Sequence, residues 1–297
     1  MDDEHEEIFF AVPPDKPVDN APVMLAAFEG WNDAGEAASD VLRHLISEWD
    51  AEKVVDIDPE EYHDFQVNRP RIRAGATGER ELIWPTTSIW KATAPGTGRT
   101  VLIVRGIEPS LKWRNYCNEI LAHAAAHDVQ TLVTIGALLA DVPHTRPVPI
   151  SMTADDAAVR EKLGAERSRY EGPTGIVGVL QHMAGANDLE AVSVWAAVPH
   201  YVGHPPAPKA ILALLGRVEN LLDESIPHGE LPETAEAWEN GVNELASEDP
   251  EIAEYVGQLE EAKDTVELPE ASGDAIAQEF ERYLRRRNDD KGDTKGQ

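Results

Sequence analysis

Residues 23–38 read VMLAAFEGWNDAGEAA: an apolar run from Val23 to Phe28 ends in Glu29-Gly30-Trp31-Asn32-Asp33, and an Ala-rich helix-forming stretch follows at once. An uninterrupted apolar run of this length has the pattern of a strand buried on both faces, and its exit through a glycine turn into a helix is the βα step of a layered sheet. The step recurs. Apolar runs at 53–57, 87–93, 100–105, 129–137 and 190–198 read as strands, and segments 34–49, 113–127, 175–185 and 206–224 read as helices. Such alternation brings right-handed crossovers and parallel neighbours. The block 53–106 instead places several strands in succession, so the expected α/β sheet is mixed but largely parallel.

Outside this core the chain changes character. Residues 1–22, with Pro13-Pro14-Asp15-Lys16-Pro17 and Ala21-Pro22, read as an extended arm. After Ile226-Pro227-His228-Gly229 the composition turns Glu- and Ala-rich, and 233–247, 249–263 and 272–287 show helical spacing: Ala235, Trp238, Val242 and Leu245; Ile252, Tyr255, Val256 and Leu259; Ile276, Phe280 and Leu284. Asp249-Pro250-Glu251 and Ser272-Gly273-Asp274 are expected helix starts, and Arg285-Arg286-Arg287 suits the last helix's negative end. The expected organisation is therefore an α/β domain over 1–228, an acidic helical extension over 229–287 and a disordered tail over 288–297.

The 297 residues carry 26 basic and 55 acidic side chains, a formal charge of -29. That charge repels phosphate backbones and anionic membranes, so neither nucleic acid nor membrane is an expected partner. The acidity fits either a specific partner or adaptation to salt and solubility. No apolar stretch of spanning length occurs and the N-terminus is acidic, so a soluble cytoplasmic protein is expected. The single Cys117 precludes an internal disulfide and sits on an Ala/Leu-rich helix face, where an inert thiol is expected.

Five loops carry side chains with chemistry. In the first, Asp33 and Glu36 have capping-box spacing, while Glu29 and Trp31 sit at the carboxyl end of a strand, the usual place for a site in such sheets. In the second, Arg105 is expected to pair with Glu108, and Ser110 to cap the next helix. In the third, GALLADVPHTRPVP (136–149), Asp141, His144 and Arg146 lie in a Pro-rich loop after a strong strand, with Asp141 and His144 candidates for orienting acid and base. The fourth, YEGPTGIVGVL (170–180), lacks both G-x-G-x-x-G and the P-loop pattern; it reads as a tight turn with Thr174 capping a helix that packs closely through Gly178. In the fifth, His200 and His204 are four apart but leave a strand for Pro205-Pro206, so the helical geometry zinc needs is missing and no metal or cofactor is expected. His200 and Tyr201 complete the binding-surface candidates. No G-x-S-x-G elbow is present. An enzyme reading, a hydrolase or phosphorylase-like activity, brings Asp33, Asp141, His144 and His200 together with Glu29 and Arg105 at one sheet edge, and it requires a formed pocket there.

The ordered series GWNDAG, RGIEPS-x-x-W, GALLADVPHTRPVPI, YEGPTGI and WAAVPHYV-x-x-PPAPKA resembles the proteasome assembly chaperone 2 family in its actinobacterial branch, over roughly residues 8–225. The resemblance implies a three-layer α/β/α sandwich similar to the nucleoside phosphorylase and peptidyl hydrolase folds. It also implies a non-catalytic chaperone-like role with proteasome α-subunits as partners. Archaeal relatives dock through a C-terminal hydrophobic-Tyr-any motif; the chain here ends Asp293-Thr294-Lys295-Gly296-Gln297, so tail insertion is not expected. The apolar stripes after residue 228 are expected to bury on the domain or on a neighbouring subunit, which points to a homo-oligomer, with a trimer as the working copy number.

Overall fold

Val23–Glu29 is strand β1, and its alternate residues feed two different cores. Val23, Leu25 and Ala27 face one, Met24, Ala26 and Phe28 the other, as a strand covered on both sides requires. The computed structural model describes residues 17–75 and 78–265. In chain order the elements after β1 are α1 (Ala37–Glu48), β2 (Glu52–Ile57), β3 (Arg71–Ala74), β4 (Arg80–Ile83), β5 (Thr87–Thr93), β6 (Thr100–Ile107), α2 (Trp113–Ala126) and β7 (Thr131–Ala140). They continue with β8 (Ile150–Thr153), α3 (Ala157–Leu163), α4 (Ile176–Gly185), β9 (Glu190–Pro199), α5 (Pro208–Leu222), α6 (Leu231–Glu248) and α7 (Pro250–Thr265).

Seven strands form one sheet in the order β2-β5-β6-β1-β7-β9-β8, and β3 and β4 form a separate hairpin. The four central strands run parallel, β6 with β1, β1 with β7 and β7 with β9. The edges are antiparallel, β2 on β5, β5 on β6 and β8 on β9. The sheet is thus mixed with a parallel centre, as expected. Side chains of α1, α3 and α5 fill one face (Leu42, Leu163 and Leu214 among them) and those of α2 and α4 the other (Tyr116, Ile120, Ile176 and Leu180). The result is a three-layer α/β/α sandwich. Gly106 and Gly136 make room for side chains of neighbouring strands in the sheet: a Cβ on Gly136 would lie 2.6 Å from the Trp195 ring of β9, and one on Gly106 2.0 Å from Thr87 Oγ1 of β5.

Among the described residues the expected strands and helices appear within a few residues of their bounds; the short β3, β4, β8 and α3 were not separately expected. Three helix starts differ. Glu36 adopts φ 55 and is exposed, so no capping box forms; α1 begins one residue later, and Asp33 reaches past a 3-10 turn to its amides. Ser110 does not cap α2, whose first turn follows Lys112 at φ 54. Thr174 does not cap α4 either; its hydroxyl oxygen lies 2.2 Å from where a Cβ on Gly178 would fall, so that glycine makes room for its own turn.

α6 packs on α5 and α7 on α6. Asp249 Oδ1 accepts the Glu251 amide at 2.9 Å, the start expected for α7. The helix expected at 272–287 with its Ser272 and Arg285–Arg287 ends, the tail 288–297 and most of the N-terminal arm lie outside the described residues. Among the described residues no helix is long and apolar enough to cross a membrane.

Candidate functional site

The carboxyl edge of the parallel centre holds two groups of polar side chains. The first surrounds the turn after β1. Asp33 is buried, and its Oδ1 accepts the Ala38 amide at 2.7 Å and the Ser39 amide at 3.3 Å. Burial lifts its pKa to about 6, against the lowering effect of those donors. Buried Asn32 donates from Nδ2 to Glu108 Oε1 at 2.9 Å, and the same oxygen accepts the first amide of α4, Ile176, at 2.8 Å. Glu108 therefore holds the start of α4 from another segment, and burial raises its pKa too. Gly175 is required beside it, because a Cβ there would lie 2.3 Å from Asn32 Nδ2. Arg105 pairs with Glu29 at 2.7 Å and donates to the Ser39 carbonyl at 3.2 Å. The expected Arg105–Glu108 pair is thus replaced: β1 and β6 are parallel neighbours, which sets Arg105 within reach of Glu29, while Glu108 turns toward α4. Trp31 is half-buried in the turn. Asp40 lies under this network, paired with Arg43 at 2.6 Å; its buried Oδ1 has no hydrogen-bond partner among the described residues, and burial raises its pKa.

The second group lies in the loops after β7 and β9. The backbone N–H of buried His144 donates to Tyr201 Oη at 2.8 Å, and His144 Nδ1 lies 2.7 Å from the same oxygen. Asn243 Oδ1 of α6, 3.0 Å from Nε2, can only accept, so Nε2 carries the imidazole proton and donates to it, and Nδ1 accepts the Tyr201 hydroxyl proton. Burial lowers the His144 pKa, in keeping with this neutral tautomer, and raises Tyr201 to about 12. Asp141 does not orient His144. It lies 3.2 Å from His200 Nδ1, at ion-pair distance but off the hydrogen-bond direction, and accepts from Tyr255 of α7 at 3.1 Å. Arg146 grips Asp264 of α7 through Nε at 2.9 Å and Nη2 at 2.6 Å and reaches Glu260 at 3.3 Å. The rings of His144, Tyr201, His200, Tyr255 and Trp238 meet edge to face, 5.5 to 6.4 Å between centroids. Lys209 of α5 joins the two parts by bonding both the His144 carbonyl and Glu239.

Asp141, His144, Arg146, His200 and Tyr201 thus meet, but beneath α6 and α7 rather than in an open cleft. The space left at His144, between Val142, Val148, Ala197, Lys209 and Trp238, is about 10 Å³, room for one water and not for a substrate. Of the four residues of the enzyme reading, Asp141, His144 and His200 share this group, with Asp141 paired to His200 and His144 tied to Tyr201 and Asn243, while Asp33 serves the backbone of α1. Sequence reasoning missed Lys209, Asn243, Glu260 and Asp264, and it counted Trp238 and Tyr255 only as apolar stripe. The stripes were visible, but nothing in their spacing names the surface they cover. Among the described residues no group of three or more His, Cys, Asp or Glu is placed to hold a metal ion. Cys117 is buried, its thiol pushed up to about 12 by desolvation, as an inert thiol should be.

Comparison with known proteins then places this architecture. The sequence pattern of the PAC2 family matches residues 27–246, from β1 into α6. The chain is 53% identical to a PAC2 family protein from Streptomyces avermitilis of known structure, over 79% of this chain and 99% of that one, with a TM-score of 0.75. It is 52% identical to a proteasome-assembly chaperone homologue from Mycobacterium tuberculosis, over the same shares of the two chains, with a TM-score of 0.72. An archaeal homologue of proteasome-assembly chaperone, from Pyrococcus furiosus, shares 16% identity over 84% of this chain and 97% of that one at a TM-score of 0.55, a likeness of fold alone. No curated protein is significantly similar. The matched span covers all of the sandwich but the first residues of β1, with most of α6, and the two actinobacterial likenesses cover nearly all of their own chains: the protein belongs to the PAC2 family.

Proposed function

We propose that this chain is a non-catalytic, oligomeric, chaperone-like protein of the cytoplasm that binds proteasome subunits, the α-subunits first. The observation that carries this reading is the 52% identity, over 99% of its length, to a proteasome-assembly chaperone homologue. The geometry agrees with a binding role. The acids, histidines and arginine that would do chemistry are committed to one another or to backbone amides, and the space beside His144 is too small for a substrate. In this reading residues 1–228 form the chaperone-like unit and 229–287 an acidic extension, of which α6 and α7 cover the β7 and β9 loops.

One observation favours the competing enzyme reading: Asp33, a buried acid titrating near 6, has the poise of a general acid or base. Its carboxylate, however, already serves two amides of α1. The test is capture of the tagged protein from its own cells, together with direct binding to purified proteasome α-subunits. Recovery of α-subunits or assembly intermediates, matched by saturable binding in the purified system, is the expected result. Absence of both, with the bait shown to be folded, overturns the proposal.

A further inference from the structure

The hairpin of β3 and β4 is out of keeping with the rest of the molecule. Its register, Arg71↔Ile83, Ile72↔Leu82, Arg73↔Glu81 and Ala74↔Arg80, puts Ile72 and Leu82 with Arg80 on one face and Arg71, Arg73 and Ile83 on the other. Neither face is covered: Ile72 is 58% exposed, Leu82 50%, and Val67 beside them 73%. Of the nine large apolar side chains left exposed among the described residues, five lie between Val67 and Trp84. A lone two-stranded hairpin is marginal in water, and apolar exposure concentrated in one patch marks a contact surface.

Charge says what kind of surface it meets. In a chain of net charge -29, this segment is net positive: Arg69, Arg71, Arg73 and Arg80, all exposed, stand against Glu79 and Glu81, with Arg73 paired to Glu81 at 3.0 Å. The opposite character occurs at the turn between α6 and α7. There Leu245, 64% exposed, and Ile252, 37% exposed, stand among the exposed acids Glu244, Glu248, Asp249 and Glu251. In sequence the hairpin is inserted between β2 and β5, the two outermost strands of one sheet edge, whereas α6 and α7 are anchored on loops following β7 and β9 near the other. Hairpin against hairpin would set two net-positive surfaces together. Hairpin against the acidic turn matches apolar to apolar and arginine to carboxylate.

We propose that the β3–β4 hairpin docks, head to tail, on the acidic α6–α7 turn of a second copy of this chain. The contact is heterologous, each copy giving one hairpin and receiving another. The inference rests on the oligomeric part of the function proposed above. Its test uses the purified full-length chain alone, so it can fail or succeed whether or not proteasome subunits bind.

The test exploits the buried, unreactive Cys117, which leaves an added surface thiol as the reporter. Leu82→Cys and Leu245→Cys are made separately, mixed and exposed to copper-phenanthroline. A disulfide-linked dimer joining positions 82 and 245 is expected in the mixture and not in either variant alone. In light scattering, Arg71→Glu with Arg80→Glu is expected to weaken self-association about tenfold, as reversal of two exposed charges would. Mixing that variant with Glu248→Arg/Glu251→Arg is expected to restore association, which a merely unfolded hairpin would not allow. A monomer mass at every concentration, or a disulfide in Leu82→Cys alone showing hairpin against hairpin, overturns the proposal.

Discussion

The two polar groups at the carboxyl edge are built in opposite ways. Around the β1 turn, Asp33 and Glu108 bond to backbone amides of α1 and α4, so they belong to the frame of the sandwich. Around the β7 and β9 loops, Asp141, His144 and Arg146 bond to side chains of α6 and α7, about a hundred residues further along. The first group is fixed by elements that must form for the protein to fold at all. The second is fixed by helices laid over a finished sheet, and it can be disturbed without disturbing that sheet. The titrations differ in sign as well. Burial raises Asp33 and lowers His144, so the two regions lose stability in opposite directions of pH.

The largest expected effect concerns that sign. The folded chain keeps a proton on Asp33 up to about 6, while the unfolded chain gives it up near 3.8, so stability falls as pH rises between those values. The full shift corresponds to about 3 kcal/mol. Asp40 and Glu108, also raised by burial, add slopes of the same sign. Asp33→Asn should flatten the slope, read from urea unfolding at about pH 4 and about pH 7; parallel wild-type and variant curves would refute the assignment. Next comes Gly175→Ala, whose methyl meets the Asn32 amide and should cost about 2 kcal/mol in the same assay. A loss within error would mean that the Asn32–Glu108–Ile176 network yields freely.

On the other side, Tyr201→Phe leaves buried His144 Nδ1 and the His144 amide without their partner, a loss of about 1.5 kcal/mol. Because burial lowers His144 below its ordinary 6.5, this region's stability declines as pH falls through and below that value. Histidine NMR should show a low-titrating Nε2–H tautomer, and an ordinary titration would contradict the bonding described. The smallest effect on global stability is expected from Arg146→Ala. Hydrogen exchange should quicken in α7 while α1 and α4 are unchanged; equal change in all three would erase the contrast between the regions.

The layered core was legible because a strand covered on both faces must be apolar throughout, and VMLAAF at 23–28 has no other soluble reading. The caps were less so. Ser110 and Thr174 are the right residue types, yet α2 and α4 start beyond them, and the acceptor at α4 is Glu108, 68 residues earlier in the chain. Local spacing cannot see a partner that the sheet brings in. Of the candidate site, His144 and Asp141 were found as residues but assigned to each other, because the aromatic and amide partners that claim them lie on helices whose docking surface no periodicity reveals.

The span between Arg146 and Asp264 also has a meaning in time. The two are 118 residues apart, and ribosomes add about 5–20 residues each second, so the loop after β7 emerges roughly 6–24 seconds before the helix that grips it. During that interval Arg146 lacks its α7 partner, and for most of it His144 lacks Asn243 of α6. These groups take up their closed-form bonds only once α6 and α7 have been made.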